Sequence, residues 1–176
     1  MKDLKGLIRS IPDFPKKGIV FRDITPLLAD ADGFKQAVEA IAKRFKAAKP
    51  EMVVGVEARG FIIGPAVALK LGAGFVPVRK PGKLPYKTKS ASYQLEYGTD
   101  KIEIHADAVQ PGQKVLIVDD LLATGGTAAA TCDLVETMGG RIVGCAFLIE
   151  LSFLNGREKL KKHDVFTLID YKSEAE

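Results

Sequence analysis

The chain has 176 residues, enough for a single domain that buries roughly 70% of the surface its unfolded chain exposes, and no linker divides it. With 47% hydrophobic and 27% charged residues it reads as an ordinary globular protein; no apolar stretch approaches the roughly 20 residues of a membrane span, and Met1-Lys2-Asp3-Leu4-Lys5 leads into no apolar secretory segment, so the expected address is the cytoplasm. A net charge of +4 invites a nucleic-acid reading, but Arg79, Lys80, Lys83, Lys87 and Lys89 gather in one loop with little aromatic interleaving and no recognisable nucleic-acid module, so a small anion is the better expected partner, with neither nucleic acid nor membrane.

Taken in chain order, residues 3–9 fit a short helix, which Ile11-Pro12-Asp13-Phe14-Pro15 must break because proline disfavours the helical state before it. The segment Lys17-Gly18-Ile19-Val20-Phe21-Arg22-Asp23-Ile24-Thr25-Pro26 reads as irregular and partly apolar. From the residues alone, Ile19 and Phe21 either anchor this segment to the core or take part in binding. Phe34, Ala37, Val38, Ile41, Ala42 and Phe45 recur at helical spacing, which predicts a scaffold helix over 32–48 capped by Asp30 or Asp32. Met52–Val56 reads as a buried strand that runs into Glu57-Ala58-Arg59-Gly60 and a helix ending at Leu71. A guanidinium at the carboxyl edge of a strand is well placed to hold an anion bidentately, which makes Arg59 a candidate.

Gly72-Ala73-Gly74 ends that helix, and Phe75–Val78 makes a third strand leading into the basic loop. From Tyr86 to Asp100 the chain is polar, and alternation resumes in Lys101-Ile102-Glu103-Ile104, so the excursion reads as a hairpin. Long loops in compact domains are commonly lids, although Glu96 by itself would pass for an exposed hairpin acid. His105 and His163 have no ligand neighbours at metal spacing, and Cys132 and Cys145 match no metal or redox motif, so buried free thiols are expected.

The richest stretch is Val115-Leu116-Ile117-Val118-Asp119-Asp120-Leu121-Leu122-Ala123-Thr124-Gly125-Gly126-Thr127. Val115–Val118 suits a strand buried on both faces of a parallel sheet, with Asp119 and Asp120 just beyond its carboxyl end, where open α/β sheets place ligands. A carboxylate pair there accepts hydrogen bonds from neighbouring hydroxyls such as those of a ribose. Ala123, Thr124, Gly125, Gly126 and Thr127 form a small-residue loop that can turn backbone N–H groups toward a phosphate ahead of an alanine-rich helix. The loop lacks the lysine and glycine spacing of a triphosphate P-loop, and no dinucleotide fingerprint occurs in the chain. A tight strand-to-helix turn is the plainer reading of Gly125-Gly126 alone; the adjacent acids weigh against it, since their desolvation needs a partner.

Residues 126–138 read as helix, 141–149 as another buried strand, and Val165–Tyr171 as the last. Strands alternating with helices predict an α/β fold: three layers, a mainly parallel twisted sheet and helices on both faces.

The run D-D-L-L-A-T-G-G-T resembles the 5-phosphoribosyl 1-diphosphate (PRPP) signature of the type I phosphoribosyltransferases, in the form similar to their adenine-specific members, and the similarity spans nearly the whole chain. The resemblance implies one domain over residues 1–176, with an N-terminal base-covering segment at about 1–30 and a flexible catalytic hood at about 82–104. It implies a purine-salvage reaction, adenine plus PRPP giving AMP and pyrophosphate, the alternatives being another purine base or a PRPP-sensing regulator. By the same resemblance backbone groups near Val20 and Arg22 would read the adenine edge, Phe21 would give apolar contact with the ring, and Arg59, Lys80 and Lys83 would bind pyrophosphate. Glu96 would assist proton transfer, and Asp119 and Asp120 would hold the ribose. Mg²⁺ would be carried mainly by PRPP with no direct protein ligand, and the protein would be a homodimer.

Overall fold

The computed structural model describes residues 2–95 and 98–176. Its centre is a parallel sheet of five strands: β3 (Met52–Val56), β4 (Gly74–Val78), β7 (Lys114–Leu122), β8 (Arg141–Leu151) and β9 (Val165–Tyr171), in the order β4-β3-β7-β8-β9. Two antiparallel pairs lie outside it, β1 (Arg9–Ile11) with β2 (Phe21–Asp23) and β5 (Thr88–Leu95) with β6 (Gly98–His105). The helices are α1 (Thr25–Ala29), α2 (Ala31–Phe45), α3 (Gly60–Leu71) and α4 (Gly126–Thr137).

Period-two alternation along the strands divides the core in two. Leu116 and Val118 of β7 join Val53 and Ala146 in a cluster with Ile41 and Phe45 of α2 and Ile63 and Val67 of α3. Val115 and Ile117 face the other way, into a cluster with Val54, Phe147 and the α4 residues Leu134 and Val135. Ile102 and Ile104 of β6 belong to this second cluster, at 1% and 0% exposure. The three expected layers are therefore present, and the expected hood is rooted in the core through its returning strand.

The chain departs from its sequence pattern where backbone pairing, and not burial, decides the element. β7 does not stop at Val118; its ladder with β8 continues through Asp119↔Phe147 and Leu122↔Glu150, so both acids are strand residues. Segment 17–26 is not irregular, because Phe21–Asp23 pairs with Arg9–Ile11 and α1 follows. The expected helix at 3–9 is one 3-10 turn, Lys5–Leu7. The helix expected over 32–48 is α-helical for Ala31–Phe45 and closes in a 3-10 turn, with Asp30 as its cap, accepting from the Gly33 N–H at 2.8 Å. α4 ends at Thr137, one residue early, and β8 runs to Leu151, two residues late.

Strand order sets the position of the site. After β3 the chain builds outward to β4 and then returns to lay β7 on the opposite side of β3. The carboxyl ends of β3 and β7 thus flank a reversal of winding, the crevice in which open α/β sheets bind ligands.

Candidate active site

Two strand ends and one helix start supply the site. β3 delivers Glu57, Ala58 and Arg59 directly into α3, and β7 delivers Asp119 and Asp120 opposite them. The β3–β7 ladder ends at Gly55↔Val118, so the acids keep β8 as a neighbour on one side and open toward the β3–α3 turn on the other. Asp120 is 6% exposed, and its Oδ2 lies 2.6 Å from Arg59 Nε in an ion pair. Asp119 Oδ1 accepts the Asp120 N–H at 2.9 Å. Burial pushes both carboxyls above the usual carboxylate range; the neighbouring Asp120 charge raises Asp119 further, and Arg59 opposes the rise in both. Gly60 makes this approach possible, since a Cβ there would stand 2.8 Å from Asp119 Oδ1 and 3.2 Å from the Val118 carbonyl oxygen.

Two hollows meet at the acid pair. One, about 150 Å³, is lined by Glu57, Arg59, Arg79, Lys80, Tyr93 and Thr127 together with Asp119 and Asp120. The other, about 200 Å³, is formed by the loop Ala123–Thr127 with Arg59, Asp119 and Asp120. Gly125 has φ +76 and opens α4, so the loop leads straight into a helix start, where backbone N–H groups favour an anion. The acids accordingly lie between a cationic hollow and a backbone cup.

The cationic hollow is braced by Arg79 and Lys80 of the basic loop together with Glu57, Tyr93 and Asp100, to which the sequence assigned no role. Glu57 accepts from Arg79 Nε and Arg79 Nη2, each at 3.2 Å, and from the Lys80 N–H at 3.0 Å; the Arg79 bonds hold its carboxyl below the usual range. Lys80 Nζ is paired with Asp100 of β6, and the Tyr93 hydroxyl donates to the same carboxylate at 3.0 Å. Burial pulls the Lys80 ammonium down, but its bonds to Asp100 and Tyr93 outweigh that and leave it raised. Lys80 thus ties the end of β4 to the hairpin. In the sequence, Arg79 and Lys80 stand in the basic loop and Glu57 two residues before Arg59 at a strand end, with nothing to join them.

The other expected site residues are distributed as follows. Phe21 lies beside Arg59, whose guanidinium carbon is 4.9 Å from the ring centroid, and Phe14 packs edge-on against Phe21 at 5.2 Å. The Arg22 side chain points away from the site: it is 2% exposed, stacks at 4.0 Å on Tyr171, and donates to Ser10 Oγ at 2.6 Å and to the Glu174 carbonyl at 2.8 Å. The Val20 N–H donates to the Glu174 carboxylate. Lys83 is not among the residues lining either hollow; its carbonyl accepts from Arg79 Nη1 at 3.2 Å. Glu96 lies outside the described residues. Cys132 and Cys145 are buried free thiols, as expected, with sulfurs 3.7 Å apart.

The phosphoribosyl transferase domain family matches residues 27–175. The chain is 61% identical over 171 residues, 97% of its length and 100% of the relative's, to the adenine phosphoribosyltransferase of Syntrophotalea carbinolica. The chain belongs to the phosphoribosyltransferase family, on its adenine phosphoribosyltransferase branch. Among solved structures, the adenine phosphoribosyltransferase of Thermoanaerobacter pseudethanolicus superposes with a TM-score of 0.93 at 56% identity, covering 96% of this chain and 98% of that one. The Saccharomyces cerevisiae enzyme, solved with an imino-altritol bisphosphate and adenine, gives 0.90 at 44% identity, covering 94% and 96%. The fold is that of the type I phosphoribosyltransferases. In such an enzyme the Gly60–Asp119 contact has a direct test: Gly60→Ala should displace the Asp119 carboxylate and lower kcat/KM for PRPP by about 10- to 100-fold, with KM for adenine unchanged in steady-state assays.

Proposed function

We propose that this cleft joins adenine to PRPP, releasing pyrophosphate, with its two hollows dividing the substrate's two anions between them. The observation that carries this reading is the buried acid pair between a cationic hollow and a helix-start cup. The cup, Ala123–Thr127, takes the 5-phosphate on backbone N–H groups and threonine hydroxyls. Asp119 and Asp120 accept the two ribose hydroxyls and, as carboxylates, offset the positive charge that grows on the sugar ring as pyrophosphate departs. Arg59 and Lys80 face that leaving group, with Lys83 reaching it only when the loop that carries it closes down. Phe21 gives the purine an apolar face beside Arg59, and the backbone of residues 20–22 reads its edge. With the Val20 N–H engaged by Glu174 and the Arg22 side chain by Tyr171, that reading falls to the Val20 carbonyl and the Arg22 backbone. Glu96 is assigned the proton transfer at the purine.

Among the described residues no cluster of three or more His, Cys, Asp or Glu side chains could hold a metal, and Asp120 already faces a guanidinium. That donor set suits Mg²⁺ brought on PRPP, coordinated by phosphate oxygens and water, where it would neutralise the diphosphate. Hood closure would keep water from the sugar carbon. Homodimerisation and a cytoplasmic address complete the proposal; no helix among the described residues is long and apolar enough to cross a membrane.

A panel of free bases with PRPP and Mg²⁺ tests the reading. Adenine should give AMP with kcat/KM roughly 10³-fold or more above guanine, hypoxanthine and xanthine, because a site built on hydrogen bonds rejects bases that leave its polar groups unpaired. Rapid turnover of guanine beside negligible turnover of adenine would overturn the base assignment; PRPP binding with no turnover of any base would point to a sensor.

A further inference from the structure

The phosphate cup rests on a segment with no role in the scheme above. A Cβ on Gly125 would stand 2.4 Å from the Gly156 carbonyl oxygen, and a Cβ on Gly156 would stand 2.1 Å from the Ala123 carbonyl oxygen. Backbone lies on backbone here, with no side chain between to absorb a shift. Gly156 opens a 3-10 turn, Gly156–Leu160, whose far end is Leu160, fully buried in the α4-side core. Its near end is held by charge. Arg157 Nε lies 2.7 and 2.9 Å from the two oxygens of Glu150, Nη1 donates to the Val165 carbonyl at 3.0 Å, and Nη2 donates to Thr167 Oγ1 at 3.1 Å. Thr167 Oγ1 in turn donates to Glu150 Oε2 at 3.0 Å. Glu150 is 3% exposed, and its register partner on β7 is Leu122, the residue immediately before the cup.

These contacts close a ring from Leu122 through the cup, Gly156, Arg157 and Glu150 back to Leu122. Glu150 is buried but the Arg157 side chain is 45% exposed, and an ion pair so placed is a poor source of stability, because solvent screens its open end and desolvation of the buried end offsets much of the attraction. What a guanidinium fork with its donors engaged does supply is a fixed direction. We propose that Glu150 and Arg157 are positioning residues for PRPP: they lock Gly156 against the backbone of Ala123–Gly125 and so set where the 5-phosphate is held. This rests on the assignment of Ala123–Thr127 as the phosphate cup.

The test compares the full-length wild type with three variants: Glu150→Met combined with Arg157→Met, Arg157→Lys alone, and Thr127→Ala within the cup itself. The methionine pair should keep the fold while losing the directed contacts. It should raise KM for PRPP by about 10- to 100-fold and leave KM for adenine within about 2-fold, with Arg157→Lys falling between it and wild type. Should the methionine pair not fold, Arg157→Lys against wild type carries the same comparison. A change in Tm alone, or an equal rise in both KM values, overturns the positioning role. A raised KM for PRPP in Thr127→Ala beside a wild-type value in the paired variant overturns that role and leaves the cup assignment standing. Wild-type values in both overturn the cup assignment, and the positioning role with it.

Discussion

Asparagine at Asp119 is expected to cripple the enzyme and stabilise the empty protein, both for the same reason. In the proposed reaction the carboxylate accepts a ribose hydroxyl and faces a developing positive charge. A hydrogen bond to a charged group contributes about 1.5–3 kcal/mol, and each 1.4 kcal/mol is about tenfold, so kcat/KM for PRPP should fall by about 10- to 100-fold for Asp119→Asn. The double variant with Asp120→Asn should lose more, though less than the product, since the proposal assigns both residues to one sugar. Stability runs the other way. Burial raises the folded pKa of both acids, so between the unfolded carboxylate range and those raised values the folded state holds more protons than the unfolded chain. Stability is then lost as pH rises through that window. Asparagine carries no charge to desolvate and can still accept the Asp120 N–H through its Oδ1. The Tm of ligand-free Asp119→Asn should therefore exceed wild type above neutral pH, by about 2–4 °C for each kcal/mol relieved, and the gap should close in acid. Differential scanning fluorimetry across pH measures this directly. A wild-type Tm that stays higher at pH 8 would show that the carboxylate is not strained by its burial.

Such a trade of stability for function suits a site that could be found in the sequence at all. Asp119 and Asp120 stood out because two acids ending a run as apolar as Val115–Val118 make no sense as structure, and Arg59 stood out because it follows a second such run. Chemistry that contradicts its local pattern is visible in one dimension. The sheet was equally legible, because burial on both faces forces near-continuous apolar strands: Met52–Val56 and Val165–Tyr171 begin and end where the pattern predicts. What stayed hidden depends on partners far along the chain. β2 is made by pairing with β1, which carries no hydrophobic period of its own. β7 reaches Leu122 because β8 continues beside it. Glu57 looked like any acid until Arg79 and Lys80 closed around it, 22 and 23 residues away. Arg22, placed at the base through its backbone, turned out to bury its side chain against Tyr171, and nothing in the C-terminal Tyr171–Glu176 stretch signalled that role.

Arg59 is where the separate parts of the site become one, and its replacement should produce the second large effect. Its Nε lies 2.6 Å from Asp120, its guanidinium faces Phe21 at 4.9 Å, and it lines both hollows. Removing it as Arg59→Ala takes a cation from beside the proposed place of the leaving group, for which a loss of about 10²- to 10³-fold in kcat/KM for PRPP is expected. It also leaves Asp120 buried without its counter-charge. The Arg59 charge is the largest influence opposing burial at Asp120 and a smaller one at Asp119, so without it both carboxyls should climb further, Asp120 most. If ionised Asp119 and Asp120 are the forms that bind ribose, the acid limb of the kcat/KM profile must then move to higher pH. Arg59→Lys separates charge from shape. An ammonium keeps the counter-charge, so the limb should stay near its wild-type position. It lacks the planar fork that can meet a carboxylate, an anion and an aromatic ring together, so kcat/KM should still fall, with KM for adenine rising as the Phe21 contact is lost. Profiles of kcat/KM against pH for the three proteins decide the matter: an acid limb unmoved in Arg59→Ala would mean that Asp119 and Asp120 are not the groups whose ionisation governs PRPP capture.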